Sequence, residues 1–264
     1  MQKDFLSIGI LAAKKAGKII SSNRGKFTDL NKVKYKGERD IVTKVDFAAE
    51  KIIKETILKK FPSHEILAEE TPKGYDLADY LWVVDPLDGT VNFSHDYPHF
   101  CVSIALKQQE QTVLGVIFDP VLNELFTSVK GKGTYLNGKK VFVSKNSDLI
   151  RILLNTGFSY NRGDKMRFTI NAIERMLYKI KDIRRSGSAA LDLAYVACGR
   201  VDSYLEYHLK PWDLCAGALM VEEAGGKVSD PTGSSLKPLP IDCFASNGLI
   251  HEKMLEMINQ ERVM

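Results

Sequence analysis

The chain has 264 residues, 44% of them hydrophobic and 27% charged, which is enough apolar material for one large core or two joined ones. Its 37 basic and 33 acidic residues leave a net charge of +4, too small an excess to indicate the clustered basic surface of a nucleic-acid-binding protein. No apolar run approaches the roughly 18 residues that a membrane span requires. We therefore expect a globular protein whose partners include neither a membrane nor a nucleic acid.

The N-terminal segment "FLSIGILAAKKAGKII" repeats apolar residues at helical spacing and lacks the exit site of a signal sequence. It predicts an amphipathic helix over residues 3–21. The polar, basic stretch 22–40 is predicted to be a loop or a poorly paired hairpin. A second helix is predicted from Asp46 to about Lys60.

Short apolar runs follow at hairpin spacing. "EILAEE" and "YLWVVD" are predicted to be strands that end in acids. Four further strands are predicted in "FCVSIALKQ", "TVLGVIFDP", "NELFTSVK" and "KKVFVS", with turns at Asp119-Pro120 and Asn137-Gly138. Consecutive hairpins of this kind predict a mainly antiparallel sheet.

The second half of the chain alternates between strands and helices. Strands are predicted in "RILLNTGF", "DIRRSG", "VDSYLEY", "KVSD" and "CFASN". Helices are predicted over residues 164–178, in "SAALDLAYVACG" and in "DLCAGALMVEEAGG", the last two closed by glycine. The order predicts a mixed α/β protein with alternating helix and sheet layers and a soft boundary near residues 144–150.

The four cysteines, at positions 101, 198, 215 and 243, form no Cys-x-x-Cys pair. This spacing argues against a thiolate zinc site and favours free thiols. Free thiols are typical of a reducing compartment, so we expect a cytoplasmic location.

The stretch "WVVDPLDGTVNF" ends a buried strand with two acids, Asp85 and Asp88. Taken alone, Asp-Pro and Asp-Gly favour an ordinary turn. Two carboxylates that converge across such a turn repel one another unless a cation lies between them, and oxygen ligands select a hard cation such as Mg²⁺ or Mn²⁺. Gly89 lets the backbone approach closely, and amides in a turn that enters a helix are suited to an anion. Acids beside amides are the composition of a metal-bridged phosphate site.

Four further acidic residues have simpler local interpretations. Glu69 and Glu70 could begin a solvated loop, and Asp46 and Asp213 could each cap a helix or complement its dipole. A capping carboxylate can still offer its second oxygen to a metal. Local evidence leaves both interpretations open.

Five stretches together resemble the inositol monophosphatase family of metal-dependent phosphatases. They are "DIVTKVD" (40–46), "ILAEET" (66–71), "WVVDPLDGTVNF" (82–93), "GSAALDLAYVACGRVDSYLE" (187–206) and "PWDLCAGALMVEEAGG" (211–226), in the family's order. The resemblance implies a five-layer αβαβα sandwich, here one domain over residues 1–264 with a soft division into 1–145 and 146–264. It also implies a homodimer.

The resemblance also implies roles for individual residues. A first Mg²⁺ would be held by Glu69, Asp85 and the carbonyl of Leu87, a second by Asp85, Asp88 and Asp213, and a third, weaker ion near Glu69. The catalytic set would be Asp46, Thr90 and Glu69, with Asp46 and Thr90 positioning or deprotonating the attacking water. Substrate contacts would come from Asp88, Gly89, Thr90, Ser188, Ala189 and Glu206, with the amides of Gly89 and Thr90 holding the phosphate. In the family, the loop that corresponds to residues 22–40 closes near the metals, so Lys34 or Lys36 could orient a water or the phosphate.

These roles imply in-line attack of a metal-activated water on phosphorus, without a covalent phosphoenzyme. The first hypothesis is therefore a lithium-sensitive, Mg²⁺-dependent phosphatase of inositol 1-phosphate, with two or three ions and Mn²⁺ as a substitute. Shared metal residues leave open a fructose-1,6-bisphosphatase or a broad-specificity sugar or nucleotide phosphatase. An alternative of another class is a regulatory protein on the same fold that binds RNA or the transcription machinery.

Overall fold

The computed structural model describes residues 2–26, 34–35, 41–71, 78–158, 163–236 and 241–260. The helices in these ranges are α1 (Gln2–Asn23), α2 (Lys44–Lys60), α3 (Thr90–Ser94), α4 (Asp164–Leu177), α5 (Ala189–Ala197), α6 (Pro211–Glu223) and α7 (His251–Asn259), with a 3-10 turn at Leu149–Arg151. The strands are β1 (Lys34–Tyr35), β2 (Ile41–Val42), β3 (Glu65–Ala68), β4 (Tyr80–Asp88), β5 (Cys101–Gln108), β6 (Gln111–Asp119), β7 (Glu124–Val129), β8 (Gly133–Leu136), β9 (Lys139–Val141), β10 (Leu153–Thr156), β11 (Asp182–Arg184), β12 (Ser203–Leu209), β13 (Lys227–Ser229) and β14 (Ile241–Ser246). None of the helices within these ranges is long and apolar enough to cross a membrane.

Two large sheets organise the fold. The first runs in the order β3-β4-β5-β6-β7-β8-β9 and is antiparallel except for the parallel pair β3–β4. The second runs in the order β11-β10-β12-β14-β13, with β10 parallel to both of its neighbours and β14 antiparallel to β12. Strands β1 and β2 pair separately.

The helices form three layers around these sheets. Helices α1 and α2 share one apolar core with β4–β6, α5 and α6 fill a central core between the two sheets, and α4 and α7 cover the far face of the second sheet. The layers therefore follow the order α, β, α, β, α, which confirms the predicted five-layer sandwich.

Strand alternation decides which side chains face the central helices. On β4, Trp82 and Val84 pack toward α1 and α2, whereas Leu81 and Val83 pack into the central core. Because successive strand residues point to opposite faces, Asp85 lies on the central side. On β12, Tyr204 is also in the central core, so Glu206 shares that side. Acids from two sheets thus approach one helix layer.

Several predicted elements differ from the observed ones. Helix α2 begins at Lys44 rather than at Asp46, because Thr43 is its N-cap. Strand β4 continues through Asp88, where a turn was one interpretation of the sequence. Strand β8 and helix α7 had no predicted counterpart. The predicted turn at Asn137-Gly138 is confirmed, with φ of 48° and 78° joining β8 to β9.

Candidate active site

A bulge in β4 brings Asp85 and Asp88 to the same face of the sheet. Asp85 pairs with Ser103 and Asp88 with Cys101, so three steps along β4 oppose two steps along β5. Regular alternation would place residues three apart on opposite faces, and the extra residue cancels that difference. Pro86, which has no amide hydrogen, lies within the bulge. The amide of Leu87 donates to Asp85 Oδ1 at 3.0 Å.

The N-terminus of α5 holds Asp88. The hydroxyl of Ser188 donates to Asp88 Oδ2 at 2.6 Å, and the amide of Ala190 donates to the same oxygen at 2.7 Å. Ser188 is the N-cap of α5 and is only 1% exposed. Predicted substrate contacts Ser188 and Ala189 thus lie beside Asp88, and the Ser188 hydroxyl is engaged by that carboxylate.

Asp46 and Thr90 meet although 44 residues separate them. The Thr90 hydroxyl lies 2.9 Å from Asp46 Oδ1 and 3.0 Å from the carbonyl oxygen of Leu87, so its single hydrogen can be donated to either. Asp46 Oδ2 accepts from both the amide and the hydroxyl of Thr43, at 2.9 and 2.5 Å. Asp46 is 1% exposed, and burial raises its pKa to about 6 despite these bonds.

Gly89 is required by the backbone between β4 and α3. Its φ is +97°, in the left-handed region that favours glycine. A Cβ there would lie 3.0 Å from the carbonyl oxygen of His99 and 3.1 Å from Phe100 Cβ. The chain can therefore turn directly from Asp88 into α3, which begins at Thr90.

The remaining predicted ligands converge from other elements. Glu69 follows β3, and its amide donates to the carbonyl of Val84 at 3.2 Å, next to Asp85. Asp213 lies in the first turn of α6, where its Oδ2 accepts from the amide of Lys210 at 2.8 Å. Together with the bulge of β4, three separate segments supply the carboxylates.

Burial and neighbouring charges raise the pKa values of the three aspartates. Burial raises the pKa of Asp85 well above its usual range, and the charges of Glu69, Asp88 and Asp213 raise it further. Burial, then the charges of Asp88 and Glu69, likewise raises the pKa of Asp213. Burial raises the pKa of Asp88 to about 6 even though Ser188 and Ala190 donate to it. Such a group of acids is electrostatically unfavourable unless protons or cations compensate the charge.

The donor set fits a hard divalent cation. It consists of carboxylate oxygens with a backbone carbonyl, that of Leu87, nearby, and oxygen ligands suit Mg²⁺ or Mn²⁺. Within the described ranges, no three acidic, thiol or imidazole side chains are already arranged as a set that could hold one ion. The fit therefore rests on the chemistry of the oxygen donors and on the bulge that places Asp85 and Asp88 on one face of the sheet.

Glu206 approaches the same region from the second sheet. Its Oε2 accepts from the Tyr204 hydroxyl at 2.5 Å, and burial raises its pKa to about 7. The carboxylate lies directly against Gly157, where a Cβ would come within 1.8 Å of Oε2. Any larger residue at position 157 would displace Glu206. Asp88 is among the charges that raise the pKa of Glu206.

Sequence reasoning missed several residues that hold the site together. None of Thr43, Asn92 and Gly157 was assigned a role at the site from the sequence. The Asn92 side chain donates to the carbonyls of His99 and Ser186, at 2.7 and 2.9 Å, and so joins α3 to the segment before Ser188. Only Thr43 carried a local signal, as a threonine three residues before an acid at a helix start. Lys36 and the side chain of Lys34 lie outside the described residues.

Comparisons with known proteins agree with this geometry. The sequence profile of the inositol monophosphatase family matches residues 1–263. The chain is 44% identical over 258 residues to Nus factor SuhB of Escherichia coli strain K12, covering 97% of this chain and 96% of that protein. It is 41% identical over 266 residues to inositol monophosphatase 2 of Solanum lycopersicum, covering 98% and 99%.

A solved structure extends the likeness to the fold. The IMPase of Thermotoga maritima superposes with a TM-score of 0.88 at 38% sequence identity, covering 98% of this chain and 97% of that one. The resemblance stated from the five sequence stretches is thereby confirmed. With a profile match over nearly the whole chain and full-length relatives above 40% identity, the protein belongs to the inositol monophosphatase family of phosphatases.

Proposed function

We propose that the protein is a Mg²⁺-dependent phosphomonoesterase that hydrolyses inositol 1-phosphate to inositol and phosphate. The observation that carries this proposal is the convergence of Asp85, Asp88 and Asp213 with Glu69, where burial and then the charges of the other three acids raise the pKa of Asp85. Acids gathered at such a cost are typical of a metal-assisted active site rather than of a structural one.

We assign two or three Mg²⁺ ions to this group, with Mn²⁺ as a substitute. Glu69, Asp85 and the Leu87 carbonyl would hold the first, Asp85, Asp88 and Asp213 the second, and the third would bind near Glu69. When bound, the ions would lower the pKa of a water and stabilise charge on the phosphoryl oxygens. The positive charge of the ions would also offset the repulsion among the carboxylates.

The pair of Asp46 and Thr90 suits proton handling at the attacking water. If the Thr90 hydroxyl donates its hydrogen to Asp46, 2.9 Å away, its oxygen becomes an acceptor for a proton of that water. The raised pKa of Asp46, about 6, keeps the carboxylate basic enough to accept a proton near neutral pH. The water's oxygen would then bond to phosphorus as the bond to the alcohol oxygen breaks. The departing oxygen would take a proton from solvent water, and Asp46 would release its proton to solvent.

Substrate contacts would lie on either side of the acids. The amides of Gly89 and Thr90 would hold phosphate oxygens at the start of α3, and Asp88, Ser188 and Ala189 would line the neighbouring wall. Glu206 would accept hydrogen bonds from substrate hydroxyls, which fits a polyol better than an apolar alcohol.

The proposal is tested by phosphate release from purified protein with Mg²⁺. The panel would include inositol 1-phosphate, fructose 1,6-bisphosphate and nucleotide bisphosphates, so that the alternative sugar and nucleotide activities are measured alongside. We expect the highest kcat/KM with inositol 1-phosphate. Asp88→Asn should abolish turnover while circular dichroism stays that of the wild type, and near-normal turnover in this variant would contradict the metal assignment.

A second candidate function is favoured by the name of the E. coli relative, Nus factor SuhB. On this alternative the fold acts through RNA or the transcription machinery. Tight RNA binding that weakens steeply with salt, together with no phosphate release from any substrate of the panel, would support it over the enzyme.

We further propose a homodimer, inhibition by lithium and a cytoplasmic location. The described cysteines, which are all free thiols, support a reducing compartment. Sedimentation at several concentrations and a lithium titration of phosphate release would test the first two of these statements.

A further inference from the structure

Helix α2 carries a second buried acid one turn after Asp46. Glu50 lies four residues further along the helix, on the same side, and is 3% exposed. Its carboxylate accepts from three donors. Lys54 Nζ approaches Oε1 at 2.7 Å, the amide of Glu70 donates to Oε2 at 2.8 Å, and the Thr71 hydroxyl donates to Oε1.

Two of these donors belong to the residues that directly follow Glu69. On its other side, Glu69 is tied to β4 by the hydrogen bond from its own amide to Val84. The segment that presents Glu69 is thus held at both ends, by the sheet before it and by Glu50 after it. Since α2 also carries Asp46, one helix sets the distance between the Asp46–Thr90 pair and Glu69.

We infer that Glu50 is a positioning residue for the metal site, acting through the backbone of Glu70 and the side chain of Thr71 on Glu69. The inference rests on the metal site proposed above. It predicts that Glu50 governs how tightly the first ion is bound. Substrate binding once the metal is saturating should be unaffected, because Glu50 contacts none of the predicted substrate residues in the described contacts.

The chemistry of the site calls for a carboxylate in particular. An ammonium, an amide and a hydroxyl all donate toward Glu50, and only an ionised acid accepts on both oxygens without donating. Glutamine has nearly the same shape, but its amide nitrogen would point hydrogens at one or two of these donors. Glu50→Gln therefore disturbs the contact with little change in volume.

The same helix provides a matched control. Lys51 and Glu55 have the same spacing as Lys54 and Glu50 but lie in solvent, with side-chain exposures of 77% and 58% and a separation of 3.9 Å. Exposed ion pairs of this kind contribute little to the free energy of folding. Glu55→Gln thus removes an equal charge from α2 without touching the segment of Glu69.

The experiment measures Mn²⁺ binding to metal-free protein by titration calorimetry, alongside the Mg²⁺ dependence of phosphate release. Glu50→Gln should weaken Mn²⁺ binding by about 10-fold or more, the usual effect of removing a residue that supports a metal ligand. The Mg²⁺ concentration for half-maximal rate should rise in parallel, with KM for the substrate at saturating Mg²⁺ unchanged. Glu55→Gln should bind Mn²⁺ as the wild type does.

The outcomes separate this inference from the proposed function. Wild-type protein that binds no Mn²⁺ would overturn the metal site itself. Wild-type binding that is matched by Glu50→Gln would overturn only the role of Glu50. If Glu50→Gln does not fold, the Mn²⁺ affinity of Thr71→Val tests the inference instead. Thr71 is exposed, and this substitution removes the hydrogen bond from its hydroxyl to Glu50. A several-fold loss of Mn²⁺ affinity there supports the inference, and unchanged affinity rejects it.

Discussion

The helix starts that carry Asp46 and Asp213 look alike locally and differ in what surrounds them. Each acid lies in the first turn and accepts from the amide three residues earlier, Thr43 for Asp46 at 2.9 Å and Lys210 for Asp213 at 2.8 Å. Burial is the largest cause of a raised pKa at both. From the local sequence, each could be a capping acid or a capping acid that also offers an oxygen to a metal.

Their remaining neighbours separate the two acids. Hydroxyls of Thr43 and Thr90 donate to Asp46 and limit the rise of its pKa to about 6. Asp213 accepts from no hydroxyl among the described contacts, and burial, followed by the charges of Asp88 and Glu69, raises its pKa well above the usual range. One cap is thus completed by hydrogen-bond donors and the other is surrounded by acids. The first arrangement suits proton transfer and the second suits a cation.

Among variants at the two helix starts, Asp213→Asn is expected to have the largest effect on turnover. The amide oxygen of asparagine can still accept from the Lys210 amide, so α6 should keep its start. Turnover should fall on the order of 10⁴-fold, equivalent to about 5 kcal/mol, because the proposed metal site loses one negative charge. Without metal, Asp213→Asn should unfold at a higher temperature than the metal-free wild type, because one of the acids that repel each other has been removed. A lower unfolding temperature would contradict the assigned repulsion.

Asp46→Asn should reduce turnover less, by about 10²- to 10³-fold, as expected for loss of a general base. Its Mn²⁺ affinity, measured by calorimetry, should stay close to that of the wild type. If Asp46→Asn lost metal binding as completely as Asp213→Asn, the distinction between the two helix starts would fail.

The pH dependence of stability tests the burial of Asp46. Its pKa is about 6 in the folded protein and 3.8 when unfolded. Between these values the folded protein binds a proton that the unfolded chain lacks, so its stability relative to Asp46→Asn increases as pH falls. Above pH 6 the buried charge of Asp46 lowers the free energy of unfolding by its full amount. By about pH 4 the carboxylate is protonated in the folded protein and this loss of stability disappears. In metal-free protein, the unfolding temperature of Asp46→Asn minus that of the wild type should therefore decrease as the pH falls from about 6 to about 4. A difference that stays constant would contradict the shift.

The smallest expected effect is that of Thr43→Ala. Loss of the N-cap hydroxyl should cost about 1 kcal/mol of folding free energy and lower the unfolding temperature by about 2 °C. Thr43→Ser keeps the hydroxyl and serves as the control. Lys210→Ala should leave stability unchanged by comparison, because only the backbone of Lys210 caps Asp213. Equal decreases of the unfolding temperature in Thr43→Ala and Lys210→Ala would contradict the difference between a side-chain cap and a backbone cap.

Much of the fold could be predicted because its signals are local. Helical spacing in α1, the Asn-Gly turn between β8 and β9, and the glycines that close α5 and α6 are each encoded within a few residues. Helix α7 was missed although its buried residues recur at helical spacing. The bulge in β4 was also missed, because whether Asp-Pro-Leu-Asp turns or stays paired depends on the partner strand β5. The division into domains and the roles of the site residues stay predictions.

The sequence by itself determined the chemistry of the site. Its motifs supply the acids, the glycine after Asp88 and the family likeness that the comparisons confirm. Only the tertiary structure decided how these groups are combined. The bulge places Asp85 and Asp88 on one face, Glu50 reaches across to the segment after Glu69, and Gly157 leaves room for Glu206. Such contacts join residues far apart in the chain, so they follow from the packing of layers rather than from local spacing.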